Sequence, residues 1–290
     1  MSGARAPRIG VLTSGGDAQG MNAAVRAITR AGIRAGAEVY AIHEGWQGAL
    51  EGGAHIARLR WNDVSGILGR GGTVIGTARC AEMRTEDGQR KVVRNLVEHG
   101  IDRLIAIGGD GSLTGARELM LRWPELLASL VERGEIPPEL AEQHQHLTMA
   151  GLVGSIDNDM VGTDMTIGTD TAMHRITEAI DALSATAESH RRTFIVEVMG
   201  RNCGYLALMT TIAGGADYTF LPERPPRDGW EDRMLEILHR GRAAGRRDSI
   251  IVVAEGAKDR DGEPITAQRI HDAIHERTGE QPRITILGHV

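Results

Sequence analysis

Short apolar runs, each followed at once by a loop rich in glycine and aspartate, constrain the fold of this chain more than any other feature. The runs Ile9–Leu12 and Leu104–Ile107 predict buried β-strands, and the loop after each of them leads into a helix-like segment. Similar strand-like and helix-like runs alternate along most of the sequence, which is typical of βαβ units. The pattern therefore predicts an α/β fold with mainly parallel sheets, whose ligands bind beyond the carboxyl ends of the strands.

The alternation is interrupted once and then resumes, which predicts two domains. We place the boundary near Gly168, so that residues 1–168 form a large domain and residues 169–290 a smaller α/β domain. Residues from about 121 to 145 are polar and helix-favouring, and they are interrupted by Gly134 and by the pair Pro137–Pro138. This composition predicts a helical hairpin inserted on the surface of the large domain.

Composition excludes several classes of function. The net charge of −6 and the isoelectric point near 6.0 argue against a nucleic-acid surface. Cys80 and Cys203 are the only cysteines, too few for a disulfide framework or a thiolate metal site. The sequence has no signal peptide's apolar core and no apolar run near the roughly 20 residues that a membrane helix needs. We therefore expect a cytoplasmic protein that binds neither nucleic acid nor membranes.

Two of the glycine-rich loops are candidates for phosphate binding. Gly15 and Gly16 follow the first strand, and the run Gly108–Ser112 follows the later one. Glycine lets backbone amides approach a phosphate, and the helix after each loop presents its positive end there. Asp110 stands between glycines, where its carboxylate is suited to hold Mg²⁺ beside a nucleotide. The second loop therefore predicts a nucleotide site, whereas the first is compatible with either a phosphate site or a tight turn.

A third loop carries two carboxylates, Asp157 and Asp159, next to Ser155. A carboxylate that faces a sugar hydroxyl can take its proton as the hydroxyl attacks a γ-phosphate. We assign that role to Asp157, and we expect Asp159 either to orient the site or to help hold the metal. Standing alone, the pair would be compatible with simple turn capping.

Four arginines are candidates for phosphate contacts, because planar guanidinium groups suit phosphate oxygens, and several of them stand just after strands or at helix starts. They are Arg79, Arg192, Arg201 and Arg283.

Together these motifs resemble the ATP-dependent 6-phosphofructokinases. The resemblance covers nearly the whole chain and is carried by residues 10–24, 108–112, 154–159, 162–170 and 197–201. Gln19, the insertion before Gly151 and the run Asp170–Arg175 are most similar to the N-terminal catalytic half of the eukaryotic-type enzyme. The resemblance implies two Rossmann-like, three-layer domains. It also implies Mg²⁺ as cofactor and the transfer of phosphate from ATP to the 1-hydroxyl of fructose 6-phosphate, the committed step of glycolysis.

The resemblance also implies individual roles. The residues expected at the ATP site are Gly15, Gly16, Arg79, Cys80, Gly109, Asp110, Gly111 and Ser112, with Asp110 on the magnesium ion. The residues expected to meet the sugar phosphate are Ser155, Ile156, Asp157, Met199, Gly200, Arg201, Glu255 and His289, and Asp157, Asp159 and Arg201 are expected to be catalytic. Arg192 and Arg283 are expected to serve a neighbouring subunit's site, which implies a homotetramer or dimer with shared sites.

Several alternatives remain open at this stage. Pyrophosphate-dependent members usually carry aspartate where this chain has Gly111 and lysine where it has Gly154, so ATP is the preferred donor. Relatives continue beyond His289 into a segment that completes the first domain, which keeps open a non-catalytic, nucleotide-binding regulatory chain. Another sugar phosphate as acceptor is also compatible with the motifs. Arg26 and Arg30 match effector-binding arginines of bacterial relatives, so allosteric regulation is a further hypothesis.

Overall fold

The structure, a computed structural model, describes residues 6–289, which form two compact units. The first unit runs up to Ser155 and includes Thr166–Gly168. The second unit consists of Ile156–Met165 and the chain from Thr169 onward. The two units differ from the predicted domains in one segment, because Ile156–Met165 packs with the second unit and not with the first.

The first unit is built on a five-stranded sheet. Its strand order is β3-β2-β1-β4-β5, and all neighbours are parallel except the pair of β2 and β3. The strands are β1 (Arg8–Ser14), β2 (Glu38–Ile42), β3 (Ile56–Leu59), β4 (Arg103–Gly108) and β5 (Thr148–Val153). The helices are α1 (Met21–Arg34), α2 (Gly45–Glu51), α3 (Glu86–Glu98), α4 (Asp110–Glu132) and α5 (Pro138–Gln143).

The predicted surface hairpin at residues 121–145 is wrong in its first half. Helix α4 continues without a break to Glu132, and Trp123, Leu126 and Leu130 on it are buried. Leu127 is buried as well, so the apolar residues recur at the i, i+3, i+4, i+7 spacing of a helix face that packs into a core. The polar residues between them misled the prediction, because they belong to the opposite, exposed face of the same helix.

The second unit is a four-stranded, all-parallel sheet in the order β7-β8-β6-β9. Its strands are β6 (Thr193–Val198), β7 (Tyr218–Phe220), β8 (Ser249–Ala254) and β9 (Arg283–Ile286). Its helices are α6 (Thr169–His190), α7 (Tyr205–Gly214), α8 (Trp230–Ala243) and α9 (Ala267–Thr278).

Alternate residues of the central strands face opposite sides of this sheet, and each side carries its own apolar cluster. Ile195 and Val253 pack with residues of α8 and α9, whereas Val196 and Val252 pack with residues of α6 and α7. Strand β8 is buried along its whole length. The unit is therefore a helix–sheet–helix sandwich, which confirms the α/β class and its Rossmann-like layering.

The prediction missed strands β3 and β7, whose four and three residues give little periodicity. No helix within residues 6–289 has the length and apolarity needed to cross a membrane.

Candidate active site

In the first unit, the two predicted phosphate loops leave neighbouring strands at the same edge of the sheet. Ser14, the last residue of β1, is the register partner of Gly108, the last residue of β4. The loops are so close that a Cβ on Gly108 would lie 2.4 Å from Ser14 O. A Cβ on Gly15 would lie 3.1 Å from Ser112 Oγ. The structure therefore brings Gly15 and Ser112 together.

Helix α4 begins at Asp110, within the run Gly108–Ser112 that the sequence predicted as a loop. Gly109 occupies the N-cap position, where it has no side chain to accept a hydrogen bond from the helix. The first N–H groups of a helix lack intrahelical acceptors, and the helix dipole makes this end positive. Asp110, Gly111 and Ser112 thus form the first turn. The N–H of Ser112 donates to Gly109 O at 3.1 Å, so the N–H groups of the exposed residues Asp110 and Gly111 are the ones suited to an anion such as a phosphate.

At three positions of this edge, neither the backbone conformation nor a neighbouring atom requires glycine. Gly16, Gly109 and Gly111 have no positive φ angle, and a Cβ on any of them would meet no atom within 4 Å. Their surroundings therefore leave open space that a closely approaching ligand would need. Gly15 differs, because its φ of 87° lies in the left-handed region that favours glycine.

A further segment is fastened over the end of β1. Asn22 Nδ2 donates hydrogen bonds to the carbonyl oxygens of Arg70 and Gly71, at 3.0 and 3.1 Å. Thr77 Oγ1 donates to Gly15 O at 2.7 Å, which holds the same segment against the first loop. Arg79 follows two residues later and is exposed.

Cys80, the next residue, is half-buried, and burial raises the pKa of its thiol. Its packing against the core of the first unit indicates a structural side chain.

In the second unit, the turn after β6 carries the predicted sugar-binding residues. Gly200 has a φ of 135°, and Arg201 has a φ of 51°, a conformation that costs a non-glycine residue about 1–2 kcal/mol. Glu255, which follows β8, accepts hydrogen bonds at Oε1 from the backbone amides of Gly200 (3.2 Å) and Arg201 (2.6 Å). These two bonds to one carboxylate stabilise the strained turn.

Asp157 is the buried titratable group of this unit's site, with 7% of its surface exposed. Burial raises its pKa to about 6, and the negative charges of Asp159 and Glu255 act in the same direction. The positive charge of Arg201 opposes them by favouring the ionised carboxylate. Asp159 itself is exposed. The structure thus brings together Asp157, Asp159, Arg201 and Glu255, four of the residues expected at the sugar-phosphate site.

Other predicted residues of the second unit fall into two groups. Met199 and Ile156 line a small cavity of about 30 Å³ together with Leu206 and Leu287, close to the carboxyl ends of the strands. Arg192 and Arg283 stand instead at the amino ends of β6 and β9, and both are exposed. At about 3.3 Å per residue, the length of β6 separates Arg192 from Met199 by roughly 20 Å. The structure does not bring these two arginines to Asp157 within one chain.

The remaining predicted residues are Ser155 and His289. The carbonyl oxygen of Ser155 accepts hydrogen bonds from Gly168 N (2.9 Å) and Thr166 Oγ1 (2.7 Å), within the first unit. His289 is exposed beyond β9.

Glu223 is a residue that the sequence analysis missed. Its Oε1 accepts a hydrogen bond from Gly204 N at 2.7 Å, at the far end of the turn that carries Arg201. The two partners are 19 residues apart, so no local pattern signals the contact.

The effector hypothesis stays a prediction. The guanidinium of Arg30 lies 4.8 Å from the centre of the Trp61 ring and donates to Ser65 Oγ at 3.3 Å. Arg30 is thus held by its own unit through a cation–π contact.

The comparisons with known proteins agree with these motifs. The family model described as Phosphofructokinase matches residues 8–290. The liver-type ATP-dependent 6-phosphofructokinases of Pongo abelii and Homo sapiens are 58% and 57% identical to this chain over 282 residues, which is 97% of it. A solved phosphofructokinase structure from Saccharomyces cerevisiae superposes with a TM-score of 0.95 at 51% identity. The match covers 98% of this chain and 38% of the yeast chain. The chain spans 36% of the length of the two curated relatives.

Proposed function

The chain belongs to the phosphofructokinase family, and on that premise we propose that it transfers the γ-phosphate of ATP to the 1-hydroxyl of fructose 6-phosphate. The products are fructose 1,6-bisphosphate and ADP. The relatives named above as ATP-dependent 6-phosphofructokinases support the donor and the acceptor.

The observation that carries the proposal is the setting of Asp157, a buried carboxylate beside the guanidinium of Arg201. With a pKa of about 6, Asp157 is ionised at neutral pH and still basic enough to accept a proton. It takes the proton of the sugar's 1-hydroxyl as the oxygen attacks the phosphate. General base catalysis of this kind is worth about 10²- to 10⁴-fold in rate.

Arg201 and Glu255 support this step in different ways. The guanidinium of Arg201 offsets the negative charge that develops as the phosphoryl group is transferred. Glu255 fixes the backbone of Arg201 through the 2.6 Å hydrogen bond, so the guanidinium needs little reorganisation during the reaction.

The first unit binds ATP in this proposal. The open glycines Gly16, Gly109 and Gly111 admit the phosphates to the backbone amides at the start of α4. Gly154 stands where pyrophosphate-dependent members usually carry lysine, and a Cβ there would lie 2.7 Å from Met21 Cε and 3.0 Å from Ile107 Cγ2. The lysine usual in pyrophosphate-dependent members would therefore require both neighbours to move.

The residues present fit a magnesium ion that ATP itself carries in. Asp110 is exposed at the start of α4, and no cluster of three or more His, Cys, Asp or Glu suited to a metal occurs between residues 6 and 289. Magnesium is commonly held by one or two carboxylates together with substrate phosphates and water. Asp110 would hold the ion, which would supply positive charge that offsets the negative charge of the phosphates.

We also propose that the protein self-associates, as a homotetramer or dimer with shared sites. Arg192 and Arg283 lie exposed at the amino ends of their strands, far along the sheet from Met199. That position suits arginines that serve the sugar-phosphate site of a neighbouring subunit. Sedimentation of the Arg192→Ala variant, paired with its KM for fructose 6-phosphate, separates a loss of assembly from a loss of binding.

A coupled assay with Mg²⁺, fructose 6-phosphate and either ATP or pyrophosphate tests the proposed reaction. We expect turnover with ATP, and a kcat lower by about 10²- to 10⁴-fold in Asp157→Asn with ATP binding unchanged. Asp181→Asn, which alters an exposed aspartate of α6, is the matched control. Turnover with pyrophosphate alone would overturn the choice of donor, and bound ATP without turnover would favour the regulatory chain.

A further inference from the structure

The turn that carries Arg201 is fastened at both of its ends by carboxylates. Glu255 binds the amides at its first end, those of Gly200 and Arg201. Within the turn, the backbone N–H of Cys203 donates to Gly200 O at 2.8 Å, so the two ends are linked across it. A displacement of the second end would therefore be transmitted to Arg201.

The second end is bound by Glu223, which follows β7. Its Oε1 accepts the N–H of Gly204, and a Cβ on Gly204 would lie 2.6 Å from Glu223 Oε2. A side chain at position 204 would therefore require the carboxylate to move. Glu223 also faces the thiol of Cys203 and raises its pKa, after the larger effect of burial.

Helix α7 explains why a carboxylate binds there. Its N-cap is Gly204, which provides no side-chain acceptor, and its first turn contains no acidic residue. The N-terminal end of a helix is stabilised by negative charge. Glu223 provides that charge from the turn after β7, and in doing so it fixes where α7 begins relative to the turn of Arg201.

The same end of the turn also contacts the loop of Asp157. Cys203 Sγ lies 3.6 Å from the carbonyl oxygen of Asn158, the residue after Asp157. Holding Cys203 therefore holds both the turn of Arg201 and the loop of the proposed base.

We propose that Glu223 is a positioning residue for phosphoryl transfer, which orients Arg201 towards Asp157 by binding Cys203 and Gly204. This inference rests on the proposed function. Glu223 acts through Arg201 and does not touch the substrate itself.

A double-mutant cycle tests the inference. We expect Glu223→Ala to lower kcat by about tenfold, the usual effect of losing one charged hydrogen bond, and to change the KM for fructose 6-phosphate by less than about twofold. If Glu223 acts through Arg201, the pair Glu223→Ala and Arg201→Ala will be no slower than Arg201→Ala alone. Two reductions that multiply would overturn the proposal, because they would show an independent structural effect.

Two further variants separate positioning from general damage to the fold. Glu223→Gln retains an oxygen that accepts the Gly204 N–H, so we expect it to recover most of the lost kcat. Glu236→Ala removes an exposed glutamate of α8 and should behave as wild type. The proposal fails if Glu223→Ala and Glu236→Ala are indistinguishable, or if Glu223→Gln is as slow as Glu223→Ala.

A thiol measurement distinguishes a failure of this inference from a failure of the proposed function. In a Cys80→Ser background, the pH dependence of iodoacetamide alkylation reports the pKa of Cys203 alone. We expect Glu223→Ala to lower that pKa and Glu236→Ala to leave it unchanged, even if the wild-type chain shows no turnover. An unchanged Cys203 pKa in Glu223→Ala would overturn the contact on which the inference depends.

Discussion

The two units prepare their sites in opposite ways. In the first unit, the candidate phosphate site consists of open glycines, exposed amides and the exposed side chains of Asp110 and Arg79. In the second unit, Asp157 is already buried, and Arg201 is already held in a strained conformation by Glu255. A site that only binds a charged ligand can be completed by that ligand. A site that moves a proton needs its charges oriented before the substrate arrives.

The largest effect that sharpens this comparison is expected from Arg201→Ala. Removing a preorganised charge that stabilises a transition state typically costs about 10²- to 10³-fold in kcat. Arg201 also lowers the pKa of Asp157, against the raising effects of burial, Asp159 and Glu255. We therefore expect the acidic limb of the kcat–pH profile to move from about 6 to higher pH. A profile that stays in place would show that Arg201 does not face Asp157.

A smaller effect, on stability, is expected from Asp157→Asn. The pKa of Asp157 rises from 3.8 to about 6 on folding, so its ionised form disfavours the folded state at pH values above about 6. At pH 7.5, which lies above both pKa values, the rise of the pKa from 3.8 to about 6 predicts a variant that is more stable by about 3 kcal/mol in urea unfolding. The gain should shrink as the pH falls through about 6 towards 4, where the wild-type carboxyl is protonated.

The matched change in the first unit is Asp110→Asn. Because Asp110 is exposed and lies in the first turn of α4, where negative charge is stabilising, we expect no gain in unfolding free energy at pH 7.5, and a loss of no more than about 0.3–1 kcal/mol. An equal gain in both variants would break the comparison, since it would remove the distinction between a strained and an unstrained site.

The smallest effect is expected from Gly111→Asp, which changes only the first unit's site. The new carboxylate would repel bound phosphates, so we expect the KM for ATP to rise about tenfold, equivalent to ~1.4 kcal/mol. The KM for fructose 6-phosphate should not change. Gly115→Asp, one helical turn further along α4, controls for helix propensity, and an equal rise in that variant would contradict the assignment of Gly111.

For the first unit, the location of the candidate site could be predicted from the sequence more easily than its exact geometry. Glycines after apolar runs mark strand ends, and parallel pairing then brings Gly15 near Ser112. The start of α4 at Asp110 escaped prediction because Gly109 and Gly111 weaken the helical signal there. The core role of Trp123 and Leu130 was available from their spacing but was outweighed by the polar residues between them.

For the second unit, the sequence indicated which residues belong to the candidate site, but not the burial and the hydrogen bonds that set their properties. Asp157, Arg201 and Glu255 were named from motifs, yet the burial that raises the pKa of Asp157 depends on tertiary packing. The bonds from Glu255 to the turn join residues 54 and 55 positions apart. Glu223 carried no motif at all, because its role exists only once β7 lies in the sheet.

The two units alternate along the chain, and this determines the order in which the parts of the second unit's site are synthesised. Asp157 lies in the segment Ile156–Met165, which packs with the second unit although the chain then returns to the first at Thr166–Gly168. Glu255 follows about 100 residues later, which at ribosomal rates of roughly 5–20 residues per second is a delay of roughly 5–20 s. The five strands of the first unit all precede Asp157 in the chain, whereas Arg201 and Glu255, whose charges act on the pKa of Asp157, follow it and are synthesised later.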